Sequence, residues 1–133
     1  MKKTYIIVVA FFLTAINIQA QSFRFEVSAV SLSVKNGGKW SDFTPFKEAK
    51  IVATFNPEKN TIGVYSEIPQ YFKIKKYYDR KSEDGKDIDG FDCMDNNGEF
   101  CFIEIHSRQK ENLHQLYITY SDRMMVYNMK YKK

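Results

Sequence analysis

Apolar and polar positions alternate along most of the chain, and this alternation predicts an all-β protein. Residues 49–55 place Ala, Ile, Ala and Phe on one parity and Lys, Val and Thr on the other. Side chains in a strand point to alternate faces, and β-branched and aromatic residues favour a pleated surface that is buried on one side. After residue 21, no helical period is long enough to require a helix.

The first predicted strand, residues 23–34, changes its apolar parity partway along. The apolar residues are Phe23, Phe25 and Val27 on one parity, then Val30, Leu32 and Val34 on the other. One extra residue in a strand shifts the parity without ending the strand. We therefore expect a β-bulge near Ala29, and the polar sequence of residues 35–38, Lys-Asn-Gly-Gly, ends the strand.

Turn residues and the apolar pattern together predict how the later strands pair. Asn56-Pro57 begins one turn, Asn96-Asn97-Gly98 fits a three-residue hairpin loop, and Asp122-Arg123 suits a two-residue turn. The predicted cross-strand pairs are Phe55 with Ile62, Ala53 with Val64, Cys93 with Cys101, Phe91 with Ile103, Ile103 with Leu116, Cys101 with Ile118, Glu104 with Gln115, Tyr127 with Ile118, and Met129 with Leu116.

These elements predict an antiparallel meander of about eight strands with short connections. A sheet with one apolar face must cover that face and its edges, and closure into a barrel does both. We expect a small closed or partly open barrel, and a two-layer β-sandwich is the alternative. The segment around Trp40 and Phe43 is predicted as a loop in which Trp40 either caps the barrel end or contacts a ligand.

The first twenty residues have the pattern of a secretory signal peptide. Lys2 and Lys3 precede an apolar run at residues 5–16, and Ala20 offers a small residue at the cleavage point. A retained membrane anchor is the alternative, but the run is shorter than the about 20 residues that a span needs. We expect residues 1–20 to be removed and residues 21–133 to form one all-β domain that is periplasmic or secreted. Residue 21 is not the Cys that lipid attachment would require.

Charge does not predict a polyanionic partner. Removing Lys2 and Lys3 from the 20 basic residues leaves 18 basic against 16 acidic residues. Residues 71–78 alternate aromatics with lysines, a composition found on surfaces that bind single-stranded nucleic acid. In an exported protein we interpret them as a strand with Phe72, Ile74 and Tyr78 inward and lysines outward, which also discourages edge-to-edge pairing. We expect no nucleic acid partner; a glycan or protein contact stays open.

Cys93 and Cys101 are the two cysteines, and their predicted pairing across one hairpin indicates a disulfide in an oxidising compartment. A redox-active pair is less favoured because the Cys-x-x-Cys spacing is absent, and free buried thiols stay open. His106 and His114 fall on opposite faces of the predicted hairpin, so we predict no zinc site. The acidic residues from Asp84 to Asp95 do not fit an EF-hand loop, and a calcium site of another kind stays open. No cofactor is expected.

Three segments together resemble small exported β proteins of Gram-negative bacteria: residues 40–47, the Cys93 to Cys101 hairpin, and residues 117–122. The resemblance implies an exported β domain and carries over no activity and no catalytic residue. Similarity to lipocalins is limited to the fold, because Gly38-Lys39-Trp40 has the lipocalin Gly-x-Trp spacing but follows the first strand instead of lying in it.

The sequence favours a non-catalytic binding domain that holds a small apolar ligand or a protein partner at one barrel end. The aromatic candidates for such a site are Trp40, Phe43, Tyr71 and Tyr77. A protein-interaction or inhibitor module with a filled core is the alternative. A hydrolase is a third hypothesis, supported only by scattered carboxylates such as Glu67, Glu104 and Asp92.

Overall fold

A computed structural model describes residues 22–132, which contain ten strands. The predicted signal segment, residues 1–20, lies outside the described residues. A short 3₁₀ helix, Gln109–Glu111, connects β8 to β9. The strands are β1 (Phe23–Asn36), β2 (Lys39–Trp40), β3 (Lys47–Asn56), β4 (Thr61–Tyr65), β5 (Gln70–Tyr77), β6 (Lys81–Glu83), β7 (Lys86–Asp95), β8 (Phe100–Arg108), β9 (Leu113–Thr119) and β10 (Arg123–Lys132).

Eight of these strands form a closed antiparallel barrel in the order β1, β3, β4, β5, β7, β8, β9 and β10. The barrel closes because β1 pairs with β3 along one edge and with β10 along the other, from Arg24 opposite Lys132 to Val34 opposite Arg123. The strands β2 and β6 are additions that pair with β1 and β7. The predicted barrel is confirmed, and the sandwich alternative is wrong because one continuous sheet closes on itself.

Side chains on the inward parity fill the barrel. Phe72, Ile103 and Ile118 are each at most 1% exposed. Interiors packed in this way leave little space for a ligand between the strands. The buried cluster comprises Phe25, Val27, Ala53, Ile62, Val64, Phe72, Ile74, Phe91, Cys93, Cys101, Ile103, Ile105, Leu116, Ile118, Tyr120, Tyr127 and Met129.

The β-bulge predicted near Ala29 is confirmed, because the pairing of β1 shifts between Val27 and Ala29. After the bulge Val30 packs against the core, so the parity changes as predicted, but Leu32 and Val34, which the sequence placed in the same apolar set, are 44% and 46% exposed. The same shift places Ser31 and Ser33 on the outer wall, yet both are buried. Residues 41–44 cover them.

That covering segment runs beside β1 and uses side chains where a strand would use its backbone. The N–H of Thr44 donates to Leu32 O at 2.8 Å, while the N–H of Leu32 donates to Thr44 Oγ1 at 3.0 Å. Ser41 and Val34 form the same pair of hydrogen bonds: the N–H of Ser41 donates to Val34 O at 2.7 Å, and the N–H of Val34 donates to Ser41 Oγ at 3.0 Å. Ser33 Oγ donates to Ser41 O at 2.7 Å. Hydrogen bonds thus satisfy this edge of β1 without a full strand.

The predicted registers divide into two groups. The pairs Phe55 with Ile62, Ala53 with Val64, Cys93 with Cys101, and Phe91 with Ile103 are confirmed. The pairings of β8 with β9 and of β9 with β10 are wrong by two residues: Ile103 lies opposite Ile118, and Tyr127 lies opposite Leu116. A shift of two residues keeps every side chain on its face, so the apolar pattern cannot detect it.

The connections explain both shifts. Between β8 and β9 the chain uses the 3₁₀ helix and then Asn112 in the left-handed conformation, with φ of 50°. Between β9 and β10 the two turn residues are Ser121 and Asp122, because the N–H of Tyr120 donates to Arg123 O at 2.8 Å. The turn predicted at Asp122-Arg123 is therefore one residue too late.

A second bulge corrects the prediction for β5. Phe72 and Ile74 are buried as predicted, but the pairing of β5 with β7 shifts between Ile74 and Lys76. This shift turns Tyr77 toward Phe91, at 5.4 Å between ring centroids, and leaves Tyr78 on the outer wall. Tyr78 was expected inward and is 42% exposed.

The two barrel ends differ in which connections they carry. The Phe23 end holds the start of β1, the end of β10 and the β3–β4, β5–β7 and β8–β9 connections. The Asp95 end holds the β1–β3, β4–β5, β7–β8 and β9–β10 connections. Since the core between them is filled, the candidate sites lie at the ends and on the outer wall.

Candidate functional site

The Phe23 end is lined by a continuous series of aromatic rings. Phe23 stacks on Phe55 at 6.0 Å between centroids and contacts Tyr131 at 6.1 Å. Phe25 contacts both Tyr131, at 5.6 Å, and the imidazole of His114, at 5.3 Å in an edge arrangement. Aromatic pairs at these separations are mutually stabilising. The rings therefore hold one another around the opening.

The strand register brings these rings together. Phe23 lies opposite Phe55 across β1 and β3, and Phe25 lies opposite Tyr131 across β1 and β10. Phe25 is buried in the core, whereas Phe23 and Tyr131 are 42% and 37% exposed because they lie at the strand ends. A residue at the end of an inward row has core neighbours below it and solvent above it. The end of the barrel thus becomes an aromatic cup.

The cup encloses an open hollow of about 250 Å³. Its floor is closed by the filled core, with Ile105 among the lining residues. The lining residues are Phe23, Phe25, Phe55, Arg80, Asp89, Ile105, Ser107, Gln109, His114 and Tyr131. We call this feature the aromatic hollow.

One side of the aromatic hollow carries a paired charge. Arg80 donates through Nε to Asp89 Oδ1 and through Nη2 to Asp89 Oδ2, both at 2.9 Å. Asp87 lies 3.5 Å from the same guanidinium and also accepts from Ser82 at 2.7 Å. The hydrogen bonds to Asp89 raise the pKa of Arg80. The bidentate contact balances the charge of Asp89 and fixes the orientation of the guanidinium.

The other side presents a neutral polar group. Asn112 donates through Nδ2 to Tyr131 O at 3.2 Å and accepts from Tyr131 N at Oδ1 at 2.9 Å, which fixes its amide. His114 Nε2 lies 3.1 Å from that oxygen and must carry a proton to donate to it. Burial lowers the pKa of His114, which favours the neutral ring.

This arrangement determines the direction of the next hydrogen bond. In a neutral ring protonated at Nε2, Nδ1 is an acceptor, so the Ser107 hydroxyl 2.8 Å away donates to it. The lone pairs of Ser107 Oγ then remain available. The aromatic hollow therefore offers an acceptor at Ser107 beside apolar walls.

The Asp95 end has a wider and more polar opening of about 680 Å³. Asp95 accepts from the N–H groups of Asn97 and Glu99 at 2.9 Å and from the Tyr120 hydroxyl at 2.7 Å. Burial alone raises the pKa of Asp95, but these hydrogen bonds outweigh it and lower the pKa below its usual value. Arg123 lies 3.8 Å above the Tyr120 ring and pairs with Glu99 at 2.9 Å. These groups therefore satisfy one another's charges and hydrogen bonds.

The four aromatic residues predicted as a ligand site do not come together. Trp40 lies on β2, 40% exposed, with Lys35 Nζ 5.7 Å from its ring centroid, so the predicted cap of the barrel is wrong. Gly37 and Gly38, both with positive φ, form the turn that pairs Trp40 with Lys35 across β1 and β2.

The other three candidates are divided between the ends. Phe43 lies in the segment beside β1, and Tyr71 contacts Tyr65 at 5.8 Å near the Asp95 end. Tyr77 lies near the Phe23 end, where its hydroxyl donates to Asn60 Oδ1 at 2.8 Å. Sequence reasoning recognised Phe23, Phe25 and Phe55 as inward residues but not as a site. The feature that could have identified them as a site is their position near the ends of strands.

The cysteine pairing is as predicted in register, but the two sulfurs are not bonded. Cys93 and Cys101 lie opposite each other and are both buried. Burial raises the pKa of each thiol to about 12. The disulfide stays a prediction.

The two histidines lie on opposite faces of the sheet, as predicted. His106 is on the outer wall, 4.4 Å from the Tyr117 ring and 3.3 Å from Glu104 Oε1, whereas His114 faces Phe25. Residues 22–132 contain no group of three or more His, Cys, Asp or Glu side chains arranged to hold a metal ion.

The carboxylates behind the hydrolase hypothesis are separated. Glu67 lies in the β4–β5 connection at the Asp95 end, and Asp92 on β7 accepts from Tyr78 at 2.8 Å. Glu104 on β8 contacts His106. The structure therefore does not bring Glu67 together with the other two.

In the part of the chain that the structure describes, no helix has the length and apolar character needed to cross a bilayer. Comparison of the chain with protein-family models, with curated proteins and with solved structures finds no match.

Proposed function

We propose that this protein is an exported, non-catalytic binding domain that holds a small, largely apolar ligand in the aromatic hollow. The observation that carries the proposal is the set of contacting rings around an open space of about 250 Å³. Ligand sites are typically concave, mostly apolar, and provided with a few polar groups that fix orientation. The predicted signal peptide supports a location in the periplasm or the extracellular space.

The size and polarity of the hollow define the class of ligand. Its volume lies below the roughly 300–1,000 Å³ of sites for drug-sized molecules, so the ligand is small. The walls favour a flat apolar body that stacks on Phe23, Phe55 or Tyr131. Ser107 Oγ can accept a hydrogen bond from a donor group on that body. The pairing of Arg80 with Asp89 favours a ligand without net charge.

A fluorescent, neutral aromatic amine, N-phenyl-1-naphthylamine, tests the proposal because it combines stacking rings with one N–H donor. The replacement Phe23→Ala removes an exposed wall of the aromatic hollow. We expect the dissociation constant of the amine from this variant to rise by about threefold to tenfold, since one aromatic contact contributes about 0.5–1.5 kcal/mol.

Phe100→Ala is the matched control, because Phe100 is 68% exposed and lies at the Asp95 end. Its dissociation constant for the amine should equal that of the wild type. Equal binding by wild type and Phe23→Ala would remove the aromatic hollow as the site.

A second candidate function is contact with a protein partner through the Asp95 end. It is favoured by apolar residues exposed there, with Ile68 at 80% and Phe100 at 68%. Clusters of exposed apolar residues often mark interaction surfaces. Native mass spectrometry of the protein purified from its own host separates the two candidates. A small copurifying molecule supports the aromatic hollow, and an added subunit supports the partner.

A further inference from the structure

A groove on the outer wall, toward the Phe23 end of the barrel, is lined by basic but not by acidic side chains. It crosses β7, β8, β9 and β10 and reaches the bulge at Ser28, and its volume is about 420 Å³. Its basic side chains include Lys86, Arg108 and Lys130, and none of its lining residues is acidic. We call this feature the basic groove. It is separate from the aromatic hollow, although His114 borders both.

The strand register explains why these cations converge. Asp87 lies opposite Ser107, and Ser107 lies opposite His114, so the outward neighbours Lys86, Arg108 and Leu113 form one row. Met129 lies opposite His114, so the next residue, Lys130, joins this row beside Leu113. On the neighbouring row, Gln115 lies opposite Asn128. Glu83 lies opposite Lys86 and Glu26 lies opposite Lys130 in the strand ladders. Among residues 22–132, neither lysine forms an ion pair within 4 Å, so both ammonium groups remain free to contact an anion in the groove.

A fixed amide adds a neutral donor to the basic groove. The Tyr117 hydroxyl donates to Gln115 Oε1 at 3.0 Å, so the amide nitrogen of Gln115 donates to Asn128 Oδ1 at 2.8 Å. Both amides are thereby oriented, and Asn128 presents Nδ2 as a donor with no acceptor among the described residues. An oriented donor beside cations is the arrangement that binds an anion oxygen.

His106 lies beside these donors. It lines the groove, and its Nδ1 is buried with no hydrogen-bond partner among the described residues. Its Nε2 lies 3.3 Å from Glu104 Oε1, and Tyr117 packs against the ring at 4.4 Å. The ring of His106 is therefore part of the wall of the basic groove, and the groups that would hold an anion are the three cations and the Asn128 amide.

We propose that the basic groove binds an oxyanion of the phosphate or sulfate class. Three cationic side chains suit a group with more than one negative charge better than a single carboxylate. Arg108 keeps its place while contributing, because Nη1 already donates to Asp84 O at 2.9 Å and its other N–H groups remain. Binding of this kind is salt-dependent, since the charges are exposed.

Titration with inorganic phosphate, followed by amide chemical shifts at low and constant ionic strength, tests the proposal. We expect saturable shifts at residues 106–108 and 128–130, with a roughly millimolar dissociation constant. Lys130→Gln should weaken binding about fivefold. Lys75→Gln is the matched control, because Lys75 on β5 is exposed and outside the groove and the charge change is the same. It should weaken binding less than about twofold.

A lipid headgroup and a free anion share this chemistry, and vesicles distinguish them. Sedimentation with vesicles of phosphatidylglycerol, but not phosphatidylcholine, that is lost in Lys130→Gln and kept in Lys75→Gln assigns the groove to a lipid phosphate. Phosphate binding without sedimentation assigns it to a soluble anion. Equal losses in the two variants, or no saturable shift, overturn the proposal. Thermal unfolding confirms that both variants are folded.

Discussion

Cys93 and Cys101 lie directly opposite each other on β7 and β8, both buried, with no bond between their sulfurs. Two residues beyond Cys93, the Asp95 N–H donates to Glu99 O at 2.9 Å. Hydrogen-bonded and non-hydrogen-bonded pairs alternate along an antiparallel ladder, so the two cysteines also occupy a hydrogen-bonded pair position. Such positions have Cα atoms about 5.5 Å apart, within the range a disulfide accepts. The pair can therefore exist as thiols or as a crosslink.

The first prediction is that the reduced, folded protein resists alkylation by iodoacetamide at pH 8. Burial raises the pKa of both thiols to about 12, so only about one thiol in 10⁴ is ionised there. Mass spectrometry should show no adduct until urea unfolds the protein, and then two adducts. Rapid modification of the native protein would show that the thiols are accessible.

The second prediction concerns the predicted disulfide itself. Protein recovered from an oxidising compartment should gain about 2 Da on reduction, and the oxidised form should unfold at higher urea concentration. The short loop limits the gain to about 2–3 kcal/mol. The variant with both cysteines replaced by Ala is the control, because its mass must not change with reductant. An unchanged mass for the wild type would contradict the crosslink.

The third prediction tests which face of β5 lies in the barrel. Phe72 is 1% exposed, so Phe72→Ala should lower the free energy of unfolding by about 3–5 kcal/mol. Phe100→Ala, at a site 68% exposed, should change it by less than about 0.5 kcal/mol. Urea denaturation measures both. Similar losses in the two variants would place Phe72 outside the core.

The fourth prediction follows from the lowered pKa of His114. Between the folded pKa and the ordinary value of 6.5, the unfolded chain binds a proton that the folded chain does not. Stability from this group is therefore present above pH 6.5 and is lost as the pH falls toward the folded pKa. His114→Gln should flatten the decline of unfolding free energy between pH 7 and 5, and identical slopes would refute this.

The fifth prediction concerns residues 41–44, which cover Ser31 and Ser33. Thr44→Val keeps the shape of the side chain but removes the oxygen that accepts from Leu32 N. The amide of Leu32 should then exchange with solvent at least about tenfold faster, while the amide of Val64, 0% exposed in the core, should not change. Hydrogen exchange followed by NMR measures both, and unchanged protection of Leu32 would contradict the contact.

The fold could be predicted from the sequence because a barrel depends on which parity of each strand is apolar and on the turn residues that join the strands. The bulge near Ala29 and the Cys93–Cys101 hairpin both follow from period-two patterns and local turn residues. The register of Ile103 was missed because a two-residue shift leaves its face unchanged, and only the 3₁₀ connection after Arg108 determines it.

The candidate site was harder to predict, for a related reason. Phe23, Phe55 and Tyr131 belong to three strands that meet only when the barrel closes. Their contacts depend on long-range pairing, whereas the aromatic residues chosen from the sequence, such as Trp40 and Tyr71, were selected by local composition. Exposure at a strand end depends on where neighbouring strands stop, which no local pattern encodes.

The most direct test of the account is a titration with N-phenyl-1-naphthylamine followed by the NMR signals of the aromatic side chains. Binding in the aromatic hollow should shift the rings of Phe23, Phe55 and Tyr131 and leave those of Trp40 and Tyr71 unchanged. Shifts confined to Trp40 and Tyr71 would move the site to the Asp95 end and contradict the proposed function.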